Sequence, residues 1–253
     1  MPQNHEETII FCAACPLPGA PGLATYTKQT MRTASSPTLP TSLLHILTTI
    51  ISLLGMVAVP SPISYAHAQL ATLEIKGRAP HTGYSRAEFG QRWSDDVDVE
   101  FGHNGCDTRN DILTRDLDNR TYKPRTRNCV VLTGTLKDPY TGKTIAFQRG
   151  KDTSAAVQID HVVPLADAWQ KGAQSWDAQT RRNFANDPRN LLAVDGPANM
   201  QKKASDAATW LPPNKAYRCD YARRIIDVKA AYSLWVTQAE HDALLRQLGT
   251  CRS

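Results

Sequence analysis

Asp160 and His161 stand side by side after the apolar run Val157-Gln158-Ile159 and before Val162-Val163-Pro164-Leu165. Neighbours on a strand point to opposite faces, so a carboxylate there can hold a hard cation while the imidazole next to it reaches a water. That division of labour suits hydrolysis. Downstream, Asn190 opens a second short apolar run, Leu191-Leu192-Ala193-Val194, and Pro197-Ala198-Asn199-Met200-Gln201-Lys202 reads as the start of a helix. Carboxylate and amide oxygens suit Mg²⁺, with Mn²⁺ or Ca²⁺ as alternatives, and water and substrate phosphate would complete the shell. Asp160 and Asn199 are therefore the expected metal ligands. His161 is the expected general base, with metal ligation as its alternative role, because a base works best with a pKa near the working pH. Asn190 is expected to bond to backbone and fix the direction of His161.

Cationic side chains extend this set toward a polyanion. Lys202 and Lys203 are candidate phosphate contacts. Arg120, Lys123, Arg125 and Arg127 lie in one acid-free run that could follow a phosphate backbone, and Arg109 could border the site. Trp169, Trp176, Trp210 and Trp235 occupy helical settings and read as core rather than as stacking platforms.

The order Asp-His, Asn, Asn-x-x-Lys resembles the HNH (ββα-metal) endonucleases, in particular the branch shared by secreted actinobacterial nucleases and GmrSD-type restriction enzymes. The resemblance runs from about Asn104 to Cys251. Its most specific blocks are Asp160-His161-Val162-Val163-Pro164-Leu165, Phe184-Ala185-Asn186-Asp187-Pro188, Asn190 through Gly196, and Thr209-Trp210-Leu211-Pro212-Pro213. It implies a metal-dependent phosphodiesterase acting on DNA, with RNA as the other candidate substrate. Where the family pattern carries Gly-Asp after the helix lysine, this chain has Lys203-Ala204. That departure keeps open an alternative, a catalytically silent nucleic-acid-binding protein on the same scaffold. A structural or cell-wall-associated role gives no reason for the Asp-His and Asn-x-x-Lys pairing.

The elements around these residues read as an α+β fold: a ββα-metal core, an N-terminal hairpin and a mainly helical C-terminal half. The hairpin is expected from β-rich segments at Val130–Leu136 and Thr144–Phe147 around the turn Asp138-Pro139-Tyr140-Thr141-Gly142. Capping signals predict helices starting at Ser85, Asp177 and Thr237. Further helices are expected over 164–171 and 215–232.

The 253 residues carry 29 basic and 24 acidic side chains, for a net charge of +5. Residues 1–30 read as an extension upstream of the true start, and 31–68 as a secretory signal. The Leu43–Val59 run supplies its apolar part, and Ala66-His67-Ala68 a cleavage site. Pro60 and interspersed Thr and Ser argue against a lasting membrane anchor. Residues 69–83 read as a flexible lead-in and 84–253 as one nuclease domain, expected to act as a monomer outside the cell. Cys12 and Cys15 lie before the signal and lack a second metal-binding pair. The remaining cysteines, Cys106, Cys129, Cys219 and Cys251, have no C-x-x-C spacing and are expected in two disulfides. Pairing Cys106 with Cys129 and Cys219 with Cys251 closes two local loops. The crossed pairings stay open at this level. No DNA-recognition module accompanies the candidate core, so low sequence specificity is expected.

Overall fold

The centre of the fold is a two-stranded antiparallel ribbon, β4 (Val157–His161) and β5 (Leu191–Asp195), in which Asp160 pairs with Leu192 and His161 with Leu191. This is a computed structural model, and it describes residues 61–251. Both faces of the ribbon are covered. Val157, Ile159, Leu191 and Ala193 point into one hydrophobic core, while Leu192 and Val194 point into another. Covering both faces explains why β5 is apolar at four successive positions instead of alternating.

The first core lies against α2 (Thr108–Asp116) and a three-stranded antiparallel sheet of β1 (Leu117–Tyr122), β2 (Val131–Lys137) and β3 (Thr144–Gln148). The predicted hairpin is β2–β3. Its turn carries Gly142 at φ 75°, in the left-handed region that favours glycine. Asp138 organises that turn, accepting from Thr141 N at 2.7 Å, and also from Asp195 N at 2.9 Å, which ties the hairpin to the end of β5. Strand β1 was not expected. Its polar residues read as part of the basic run, and its pairing with β2 slips in register after Asp118.

The second core is helical. It is built by α1 (Pro62–Thr72), α3 (Leu165–Trp169), α4 (Ala178–Asn186), α5 (Gly196–Lys202), α6 (Arg218–Ala231) and α7 (Gln238–Leu248). Two of the predicted caps form: Asp177 accepts from Thr180 N at 2.7 Å, and Thr237 from Glu240 N at 3.2 Å. At Ser85 the cap bond is absent, and only a 3₁₀ turn, Arg86–Phe89, follows. The helix expected over 215–232 begins as a 3₁₀ turn and becomes α-helical at Arg218.

Around the expected cleavage site and the expected lead-in the chain is structured. Cleavage after Ala68 would cut α1, whose Ala66 and Leu70 are buried against the α6–α7 pair. The supposed flexible lead-in is likewise held down. Lys76 N donates to Val236 O at 2.9 Å, and Arg78 reaches Asp167 at 2.9 Å and Asp206 at 2.5 Å. Small residues that fit a cleavage rule also fit close helix packing, and Gly and Pro do not preclude tertiary bonds. The expected extension, the apolar run Leu43–Val59, and Cys12 with Cys15 lie outside the described residues. Among the described residues, no helix is long and apolar enough to cross a membrane.

Both local disulfides form, Cys106–Cys129 and Cys219–Cys251. The first ties the chain entering α2 to the chain entering β2, and the second ties the first turn of α6 to the chain leaving α7.

Candidate active site

His161 ends β4 at the margin of the first core. Its Nε2 lies 2.8 Å from the carbonyl oxygen of Ala185 in the last turn of α4. A carbonyl only accepts, so Nε2 carries the hydrogen and Nδ1 keeps its lone pair. Late helical carbonyls lack an intrahelical partner, and the imidazole satisfies this one. Asn190 holds the chain just beyond His161: its Oδ1 accepts from Val163 N at 2.8 Å, and its Nδ2 donates to Val163 O at 3.1 Å. Burial lowers the His161 pKa from its ordinary value to about 4. The Ala185 bond opposes that shift, and the charges of Arg86, Lys202 and Arg92 add to it. The imidazole is thus neutral across the physiological range, whereas the sequence suggested titration near the free imidazole value.

Asp160 points to the other face. It is 5 % exposed, accepts from the Tyr140 hydroxyl at 2.5 Å, and takes the Lys202 ammonium at 3.0 Å on Oδ1 and 2.9 Å on Oδ2. Burial raises its pKa, with Lys202, Tyr140 and Arg224 pulling the other way. This geometry corrects the assignment of Lys202 to phosphate binding. The side chain is 0 % exposed and also donates to His161 O at 2.8 Å, so it braces the strand from within. Sequence reading missed Tyr140, whose hydroxyl comes from the hairpin turn.

Asn199, on α5, donates through Nδ2 to Gln158 Oε1 at 2.9 Å. Among the described residues no donor reaches its Oδ1. Asp160, His161, Asn199 and Lys203 line one cleft of about 380 Å³, together with Arg86 and Tyr84. Lys203 is exposed there, at φ 52° just past the end of α5. The structure therefore brings together four of the expected site residues.

The other cations lie elsewhere. Arg120 closes on the Leu117 carbonyl at the base of β1, and Lys123, Arg125 and Arg127 occupy the turn into β2. None of them lines the cleft. Arg109 is directed inward, with Nη2 3.4 Å from Val157 O and its guanidinium over Phe147. The expectation for Trp169 holds, since it is buried in the helical core. Trp93 was overlooked, and it lies parallel to His161, with ring centroids 6.0 Å apart.

Three or more His, Cys, Asp or Glu side chains do not converge on any metal-sized site among the described residues. Oxygen donors are nonetheless present. Asp160 uses three of roughly four carboxylate lone pairs, leaving capacity on Oδ1, and Asn199 offers its free amide oxygen. Oxygens of this type are the donors a divalent cation takes while keeping most of its water, although the Lys202 ammonium already lies on both Asp160 oxygens. A tightly held resident ion would need more.

Residues 107–247 match the family model described as "GmrSD restriction endonucleases, C-terminal domain". The chain is also 35 % identical over 213 residues to an "Uncharacterized secreted protein" of Arthroderma benhamiae, covering 80 % of this chain and 97 % of the relative. The matched segment contains β4, β5, α5 and every residue of the cleft except Tyr84 and Arg86. On this evidence the chain belongs to the family of the GmrSD restriction endonuclease C-terminal domain.

Proposed function

We propose that this protein is a secreted, metal-dependent endonuclease of the ββα-metal (HNH) type that hydrolyses phosphodiester bonds in DNA with little sequence preference. RNA is the other substrate to be tried. One observation carries the reading: His161, its Nε2 fixed on the Ala185 carbonyl, lines the same cleft as Asp160 and Asn199. His161 takes the proton from a water attacking phosphorus. Asn190 keeps the strand end in place, Lys203 offers charge to the phosphate, and Lys202 with Tyr140 orients the Asp160 carboxylate. A divalent cation held by Asp160 and Asn199, Mg²⁺ before Mn²⁺ or Ca²⁺, would neutralise charge on the phosphate and the leaving oxygen. Secretion is supported by the secreted relative and by two disulfides, which persist in oxidising compartments.

A second reading is a silent nucleic-acid-binding protein, favoured by one feature: the Lys202 ammonium already neutralises Asp160. One experiment separates the two. The purified secreted chain is incubated with plasmid DNA and with RNA in Mg²⁺, Mn²⁺, Ca²⁺ or EDTA, beside Asp160→Ala and Asn199→Ala. Cleavage that EDTA and both substitutions abolish supports the nuclease, and binding without cleavage in any metal supports the silent scaffold.

A further inference from the structure

A second hollow, of about 270 Å³, opens on the other side of His161. It shares Arg86, His161 and Leu165 with the cleft and adds Arg92, Trp93 and Asn186. Its volume falls just under the roughly 300–1,000 Å³ of pockets that enclose drug-sized ligands, so it suits one planar ring system. Its chemistry is specific. Trp93 is half-buried and parallel to the His161 ring within 10°. Arg92 and Arg86 are exposed, and neither is ion-paired among the described residues. Asn186 is 1 % exposed, and its Nδ2 donates to Arg182 O at 2.9 Å, yet its Oδ1 has no partner. A buried acceptor left unsatisfied is costly; this one lies beneath the wall of the hollow, and a ligand that opens that wall and donates to it removes the cost.

We infer that this hollow is a nucleobase subsite, in which a base next to the scissile phosphate stacks on Trp93, donates an amino hydrogen to Asn186 Oδ1, and has its phosphates held by Arg86 and Arg92. This rests on the nuclease reading and names how that site grips its substrate. An aromatic ring with exposed arginines beside it, here with the Arg92 guanidinium 5.6 Å over Trp93, is an arrangement with which proteins hold unpaired nucleotides, because every base has a π-face and can replace that guanidinium. Trp93 sits at φ 56°, a conformation uncommon for a bulky residue, and this sets its ring beside the imidazole. Gripping one base implies that the strand is locally unpaired when it is cut.

Binding is measured without catalysis, on the full secreted chain in EDTA. The probes are 2′-deoxyadenosine 5′-monophosphate, the same nucleotide lacking the 6-amino group, and 2-deoxyribose 5-phosphate, followed by NMR of the tryptophan indole N–H signals. The adenine nucleotide should shift the Trp93 signal and bind roughly tenfold or more tightly than the sugar phosphate. Its amine-free analogue should fall between them. Trp93→Leu should remove the advantage of the base, Trp93→Phe should keep most of it, and Asn186→Leu should abolish the difference made by the amino group. Arg92→Gln, at an exposed position, gives a variant whose folding is not in question and should weaken both nucleotides several-fold. Equal binding of nucleotide and sugar phosphate, no binding of any probe at millimolar concentration, or wild-type affinity in Arg92→Gln and Trp93→Leu would each overturn the subsite. Plasmid cleavage in Mg²⁺ reports separately on the nuclease reading. A wild type that binds the nucleotide but never cuts sinks that reading alone, whereas one that cuts, with KM unchanged in Trp93→Leu, sinks the subsite alone.

Discussion

Lys202 reaches from the last turn of α5 to within 2.9 Å of Asp160, and both side chains are buried. Removing one member of such a pair leaves a charge without water or partner. Lys202→Met should therefore destabilise the protein by about 3–5 kcal/mol. Lys202→Met combined with Asp160→Asn should recover much of that loss. Urea unfolding of the three proteins checks this, and equal stabilities would show that the pair contributes nothing.

His161→Ala should lower kcat by roughly 10²- to 10⁴-fold while leaving DNA affinity close to normal. The pH profile provides a sharper check. With its pKa lowered to about 4, the folded imidazole stays unprotonated as pH falls through the ordinary value. Wild-type kcat should hardly change between pH 7.5 and about 5.5, where a free imidazole of pKa about 6.5 would already have lost most of its base form. A midpoint near 6.5 would refute this environment.

Much of this was legible locally. The β2–β3 hairpin, the Asp177 and Thr237 caps and both disulfides depend on residues close in sequence, and each formed as expected. The site was legible where a strand dictates opposite directions for neighbours, as at Asp160 and His161. What was missed depends on distant partners. Nothing near Lys202 in the chain shows that Asp160 and Tyr140 await it, and a helix-face lysine reads as solvated. Trp93 meets His161 only once the chain before α2 has folded over the strand end. Strand β1 escaped because polar residues with a left-handed Asn119, φ 50°, do not alternate as a half-buried strand does.

A buried charge network should set the acid limit of stability. The Lys171 ammonium lies 2.6 Å from Asp167, 2.8 Å from Asp206 and 2.6 Å from Glu240, and Lys229 joins Asp167 and Glu240 at 3.3 and 3.0 Å. Burial pushes both aspartates up, but the surrounding cations outweigh it and both end below the usual carboxylate range. Their stabilisation is complete above the unfolded value of about 3.9 and is lost as pH falls through the lower folded values. Thermal melts should thus be nearly independent of these groups from pH 5 to 7 and should drop steeply below about pH 4. In Lys171→Met the aspartates lose that support, and the acid limit should move upward.

N-terminal sequencing of the exported chain should find a start before Ser61, because α1 belongs to the core. A chain beginning at Gln69 should melt at a lower temperature, since it loses buried Ala66 and the first half of the helix. An exported chain that begins at Gln69 and melts no lower would show α1 to be dispensable.

Asp160 and His161 are consecutive residues, yet neither takes its support from one half of the molecule alone. The carboxylate is held by α5 and the hairpin turn on the helical side. The imidazole lies on the face shared with the β1–β3 core, with its Nε2 bonded to the Ala185 carbonyl of α4 from the helical side. Each half has its own covalent staple, at Cys106–Cys129 and at Cys219–Cys251. The reactive pair is consequently a coincidence detector for folding: neither half alone can present both groups, and damage to either disarms the site without touching it.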